Sequence, residues 1–207
     1  MKRVTALGVP LAIVLAVVMS GSALAAATHD VSIVSFAFNP DSTKAKLGDT
    51  VRWTNTASIP HTSTSDGVND GSGIKGIGLW TSGSLGHNGT FSFTFTFAGT
   101  FPYHCSIHPT LMHGTVKVPM KAKPSSGSVG QNFTITWASA APTGTLVFDV
   151  QRMDPGGSFK AWQTGVTTMS AKFKPMTPGT YEFRALLRDS SSGAKSKYSP
   201  VVKITVS

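Results

Sequence analysis

Residues 91–97 read FSFTFTF. Phenylalanine takes every second position, and serine or threonine fills the gaps, so one face is apolar and the other polar. A period of two belongs to a strand with one buried side. Working outward, 99–105 (GTFPYHC) and 114–118 (GTVKV) are two more strand candidates. Upstream, 31–38 (VSIVSFAF) alternates imperfectly, and 44–55 (KAKLGDTVRWTN) has a Gly-Asp turn followed by a Val51/Trp53 alternation. Between Asp66 and Thr90 the chain is rich in Gly and Ser, which reads as long loops with one short strand around Leu79–Trp80. Together these segments predict an antiparallel sandwich, with the phenylalanine stripe in its core.

Strand patterns resume after a Pro- and Ser/Gly-rich stretch at 119–131 (PMKAKPSSGSVGQ), which reads as a linker or turn. They are NFTITW, TLVFDVQRM, SAKFKP, TYEFRALLRD and VVKITV. The expected class is therefore all-β. A first β-sandwich over 28–120 is followed by a second over 121–207, with no helix of convincing length.

The 207-residue chain begins with Lys2 and Arg3, an apolar run from Leu11 to Met19, and then small residues. This is the layout of a secretory signal peptide over 1–27, with cleavage after Ala25 or Ala27. The run is too short to span a bilayer comfortably, and no cysteine stands nearby to take a lipid. The expected location is secreted or extracytoplasmic, at the cell envelope. The formal net charge is +9. Residues 28–120 contain five Lys/Arg and five Asp, whereas 121–207 contain eleven Lys/Arg and four Asp/Glu, a net of +7. No basic-aromatic motif accompanies this excess, so nucleic acid is not an expected partner. An anionic cell-envelope surface is an expected partner of the basic half, the plainer reading being that the charge aids solubility.

One cysteine, Cys105, lies in this chain, and export would place it in an oxidising compartment where it has no internal partner. It sits in PYHCSIHPTLMHG, residues 102–114, between two strand patterns. Cys105, His108 and Met112 are spaced C-x2-H-x3-M, and Pro109 argues against a helix. Thiolate, imidazole and thioether form a soft ligand set suited to copper in both oxidation states. His61, in SIPHTSTSD, is available as a fourth ligand. Two His and one Cys in a plane with a weak axial Met is the blue-copper electron-transfer arrangement. The blander alternatives are a buried inert thiol, a turn-capping His61 and a core-filling Met112. His29, His87, His104 and His113 read as surface or structural.

The stretch from Phe91 to Val118, with VRWTNTASIPHTSTSD upstream, resembles the cupredoxin family of small blue-copper proteins, of the plastocyanin and amicyanin type. The resemblance covers roughly 30–118 and implies a Greek-key cupredoxin β-sandwich. It implies one type 1 copper site with ligands His61, Cys105, His108 and Met112. It also assigns Asn55 to steadying the Cys-bearing loop. The exposed edge of His108 would be the electron port, ringed by Ile59, Pro60, Pro109 and Leu111 for transient docking of a redox protein. The second half resembles fibronectin type III domains, an immunoglobulin-like sandwich used as a spacer or binding module. The expected function is a monomeric, secreted copper electron carrier. The alternatives are copper storage or delivery with the same ligands but no redox partner, and a metal-free adhesin. A copper enzyme is not expected, since multicopper oxidases need histidines on both sides of the cysteine and here the run is His104-Cys105-Ser106.

Overall fold

The computed structural model describes residues 26–207. The leader expected over 1–27 lies almost wholly outside them. No helix among the described residues is long and apolar enough to cross a membrane. The first unit has eight strands: β1 (Thr28–Val34), β2 (Ala37–Asn39), β3 (Ser42–Lys44), β4 (Thr50–Asn55), β5 (Thr64–Ser65), β6 (Thr90–Thr94), β7 (Gly99–His104) and β8 (His113–Val118). They form two four-stranded sheets, ordered β2-β1-β4-β6 and β3-β8-β7-β5.

The sandwich is not purely antiparallel, because β1 pairs with β4 in parallel and β3 does the same with β8. Alternation in sequence reports which face a strand buries, and it is silent on which neighbour the strand takes. Tryptophan and aromatic rings fill the space between the sheets. Trp53 stacks on Trp80 at 5.6 Å and meets Tyr103 edge-on at 5.4 Å. Trp80 lies in the loop region, where Ser65 N–H donates to Trp80 O at 2.9 Å and Thr64 bridges Thr81, without forming the short strand expected there. The stripe at 91–97 also divides. Regular pairing stops at Thr94, Phe95 is buried in the first core, and Phe97 turns toward Phe148 of the second at 5.6 Å.

The second unit has β9 (Lys121–Lys123), β10 (Ser126–Gly127), β11 (Phe133–Thr136), β12 (Leu146–Met153), β13 (Phe159–Val166), β14 (Ser170–Phe173), β15 (Gly179–Asp189) and β16 (Val202–Val206). A five-stranded sheet, β10-β16-β15-β12-β13, faces a three-stranded one, β14-β11-β9. Phe133, Ile135, Trp137, Phe148, Phe183 and Leu187 pack between them. The stretch read as a linker supplies β9, which pairs with β11, and β10, which pairs with β16. β13 had no counterpart in the sequence reading, since a glycine and polar residues blur its period.

The two units meet along a backbone seam. Ala98 N–H donates to Trp137 O at 2.8 Å, and Ser139 N–H donates to Thr96 O at 2.8 Å. Thr100 and Lys197 exchange a pair of bonds at 3.0 and 3.1 Å. Leu47, Ile77, Leu79 and Phe97 pack against both cores.

Candidate metal centre

β7 and β8 form a hairpin whose last pair is His104 opposite His113. Beyond it Cys105 N–H donates to Met112 O at 3.1 Å, so the ladder continues by one bond and then opens into the loop. Two tight turns close that loop: His108 N–H donates to Cys105 O at 3.0 Å, and Leu111 and Met112 N–H both donate to His108 O at 3.1 Å. The turns bring residue 108 back over residue 105 without a helix, as Pro109 demands. His61 arrives from the opposite side, at the start of the segment that leads into β5, held by exchange of backbone bonds with Leu85.

Three of the four expected ligands converge. Cys105 Sγ lies 3.7 Å from His61 Nδ1 and 3.7 Å from His108 Nδ1. All three donor atoms fall within 4.8 Å of one another. Metal–nitrogen and metal–sulfur bonds of about 2.1 and 2.3 Å, set 120° apart, would place sulfur and nitrogen roughly 3.8 Å from each other. The spacing therefore fits one ion in a trigonal plane, and the donor types fit copper. Cys105, His61 and Met112 are fully buried, while His108 is half-buried. Burial, then the neighbouring His108, lowers the pKa of His61. The neutral imidazole, which is the ligating form, is thereby favoured. His61 Nε2 is buried with no partner, so Nδ1 is the nitrogen that the fold turns to the site. Met112 sits in the first core behind the loop.

The sulfur is held from the rear. Thr62 N–H donates to Cys105 Sγ at 3.3 Å, and Ser106 N–H donates to Thr62 Oγ1 at 2.7 Å. Asp70 Oδ2 accepts from Ser106 Oγ at 2.5 Å and faces His104 Nε2 at 2.7 Å, while Asp66 Oδ1 faces His104 Nδ1 at 2.9 Å. A buried imidazole thus stands between two carboxylates, directly before the cysteine. For Asp70, burial raises the pKa, but hydrogen bonds from Ser106, Ser72 and His104 outweigh it and hold the carboxyl well below the usual range. Sequence reading placed His104 as structural and missed both aspartates, which lie in a Gly-rich loop 34 to 38 residues upstream.

Asn55 has a different role from the one expected. Its Nδ2 donates to Ile59 O and Leu85 O at 2.9 and 2.8 Å, and its Oδ1 accepts from Ala57 N–H. These bonds fix the loop that carries His61, and the hydrogen bonds of Asn55 do not reach residues 105–113. The other histidines are accounted for: His29 Nε2 binds Asp49 Oδ2 at 2.8 Å, and His87 Nδ1 lies 3.1 Å from Ala57 O. Beside His108 in the loop, Ile107 and Leu111 are exposed, Leu111 at 66%, and Ile59 is exposed as well. Phe36, not foreseen, meets the His108 ring edge-on at 4.9 Å from a left-handed backbone with φ 57°.

Residues 25–119 match the family model for copper binding proteins of the plastocyanin/azurin family. Amicyanin of Paracoccus denitrificans is 34% identical over 88 residues, which are 42% of this chain and 63% of that protein. Among solved structures, an oxidised amicyanin variant is 31% identical, with 43% of this chain and 79% of that chain covered and a TM-score of 0.37. A purple cupredoxin from Nitrosopumilus maritimus is 28% identical, with 43% and 97% covered and a TM-score of 0.37.

Proposed function

We propose, from the match of residues 25–119 to the plastocyanin/azurin family model, that this chain is an exported one-electron carrier holding a single copper ion. The observation that carries the reading is the convergence of Cys105 Sγ with His61 Nδ1 and His108 Nδ1 at 3.7 Å each. Met112 is the proposed fourth, axial ligand. Copper bound there would supply a one-electron couple.

The chain supplies rigidity and access. The thiolate is fixed by Thr62 N–H, and His61 is walled in, so the donors have little room to rearrange. His108 alone reaches the surface, and its edge is the proposed port. Leu111 and Phe36 beside it, with Ile59, would form an uncharged rim on which a redox protein docks briefly. Export is proposed from the leader pattern at 1–27. The second unit, proposed to be fibronectin III-like, contributes no ligand to this reading. Storage or delivery would use the same ligands without reversible cycling. Protein-film voltammetry separates the two: a carrier gives a reversible one-electron wave with fast exchange, whereas loss of copper on reduction would overturn the carrier reading in favour of delivery.

A further inference from the structure

The basic excess of the second unit gathers on one sheet face. In the three-stranded sheet, Thr134 of β11 pairs with Lys172 of β14 on one side and Lys123 of β9 on the other. Thr136 pairs likewise with Ser170 and Lys121. Partners directly opposite in a ladder share a face, as do positions i and i+2. Lys121, Lys123 and Lys172 therefore stand on one surface, with only hydroxyl residues between them. The reverse face holds Phe133, Ile135 and Phe173, all buried in the core. Strands lie about 4.8 Å apart and alternate residues about 6.7 Å apart, so the lysines form a flat grid rather than a groove.

Lys174 extends the grid past the end of β14. A Cβ on Gly130 would meet its Cε at 3.8 Å, and Gly130 N–H donates to Pro175 O at 2.8 Å. This joins Lys174 to a tip where Val129 is 40% and Met176 75% exposed. No ion pair occupies these four lysines among the described residues. No Asp or Glu occurs in 119–148 or 155–181, the segments that build the sheet and its turns.

We infer that this face is a docking surface for an anionic lipid bilayer. A plane of positive charge complements a plane of headgroups, and each lysine near such a surface strengthens binding roughly fivefold. The exposed Met176 and Val129 decide between lipid and a soluble polyanion: a bilayer gives apolar side chains an interface to enter, and a polyanion in water does not. The inference does not depend on the copper site.

The test is co-sedimentation of the purified protein with phosphatidylcholine vesicles containing about one-third phosphatidylglycerol, at low and high salt. Variants are produced identically, so that residues 1–27 contribute equally to all. The face variant Lys121→Gln/Lys123→Gln/Lys172→Gln/Lys174→Gln should lose at least tenfold in affinity. The charge-matched control Lys44→Gln/Lys46→Gln/Lys75→Gln/Lys160→Gln, all exposed positions, should stay within about twofold, since it lies off the face. Met176→Ser should weaken vesicle binding severalfold and leave any binding to soluble polyphosphate unchanged. Binding that vanishes on pure phosphatidylcholine and in high salt completes the expected pattern. Equal losses in face and control variants would overturn the inference. So would polyphosphate binding without vesicle binding, or no vesicle binding at low salt.

Discussion

Cys105 has an imidazole nitrogen 3.7 Å away on each of two sides and a backbone N–H behind it, so single substitutions around it report on separate roles. Met112→Leu keeps the volume of a fully buried side chain and should cost under about 1.5 kcal/mol of stability. If Met112 is the axial donor, the variant should still bind copper with a raised reduction potential; a potential unchanged within error would remove Met112 from the ligand set. Asp70→Asn addresses the clasp on His104 and Ser106. It removes an anionic acceptor from two hydrogen bonds and should cost about 1.5–3 kcal/mol. Because the folded-state pKa of Asp70 is depressed, its contribution is present above the ordinary carboxylate pKa of about 3.9 and is lost as pH falls below it. Wild-type stability should thus decline from about pH 5 downward and the variant's should decline less; parallel curves in acid denaturation would contradict the clasp. Cys105 and His108 were legible in sequence because their chemistry is rare and closely spaced, whereas His61, 44 residues upstream of Cys105, was reached only through the family resemblance. The aspartates were not, because Asp in a Gly-rich loop is also an ordinary turn residue.

The β7–β8 hairpin is the element that sets the site, since its register fixes where the ladder ends and the loop begins. Tyr103 faces Gly114 across it, and a Cβ on Gly114 would overlap the Tyr103 ring and its hydroxyl. That ring is wedged among Phe38, Trp53 and Trp80, and burial pushes its phenol pKa up, so it has nowhere to move. Gly114→Ala should destabilise by about 1–3 kcal/mol and lower the thermal midpoint by several degrees; an unchanged midpoint in thermal unfolding would show the hairpin to be loosely packed. Both strands were visible in sequence from their flanking turn residues. The parallel pairing of β3 with β8, like that of β4 with β1, was not, because alternation carries no strand direction. β9 was hidden for a related reason: a three-residue strand with two exposed lysines carries almost no apolar signal.

At the scale of the molecule, the seam between the sandwiches joins Thr96, Ala98 and Thr100 to the second unit by backbone bonds, and Phe97 enters both cores. Thr100 and Cys105 share the β7 end of the fold five residues apart, about 17 Å along an extended chain, so the site lies a strand's length from the seam. The two units should unfold in one calorimetric transition, and Phe97→Ala should split it or lower it by about 2–4 kcal/mol; two transitions in the wild type would mean the seam does not couple them. The all-β class and the two sandwiches were legible in sequence. The seam was not, since the phenylalanine stripe gave no sign that its last member serves another core. The account rests on copper held by His61, Cys105 and His108, and a Cu(II) titration followed by visible absorption tests it most directly. An intense thiolate-to-copper charge-transfer band should grow to saturation at one equivalent and be abolished in Cys105→Ser. Saturation without that band, or the same band in Cys105→Ser, would contradict it.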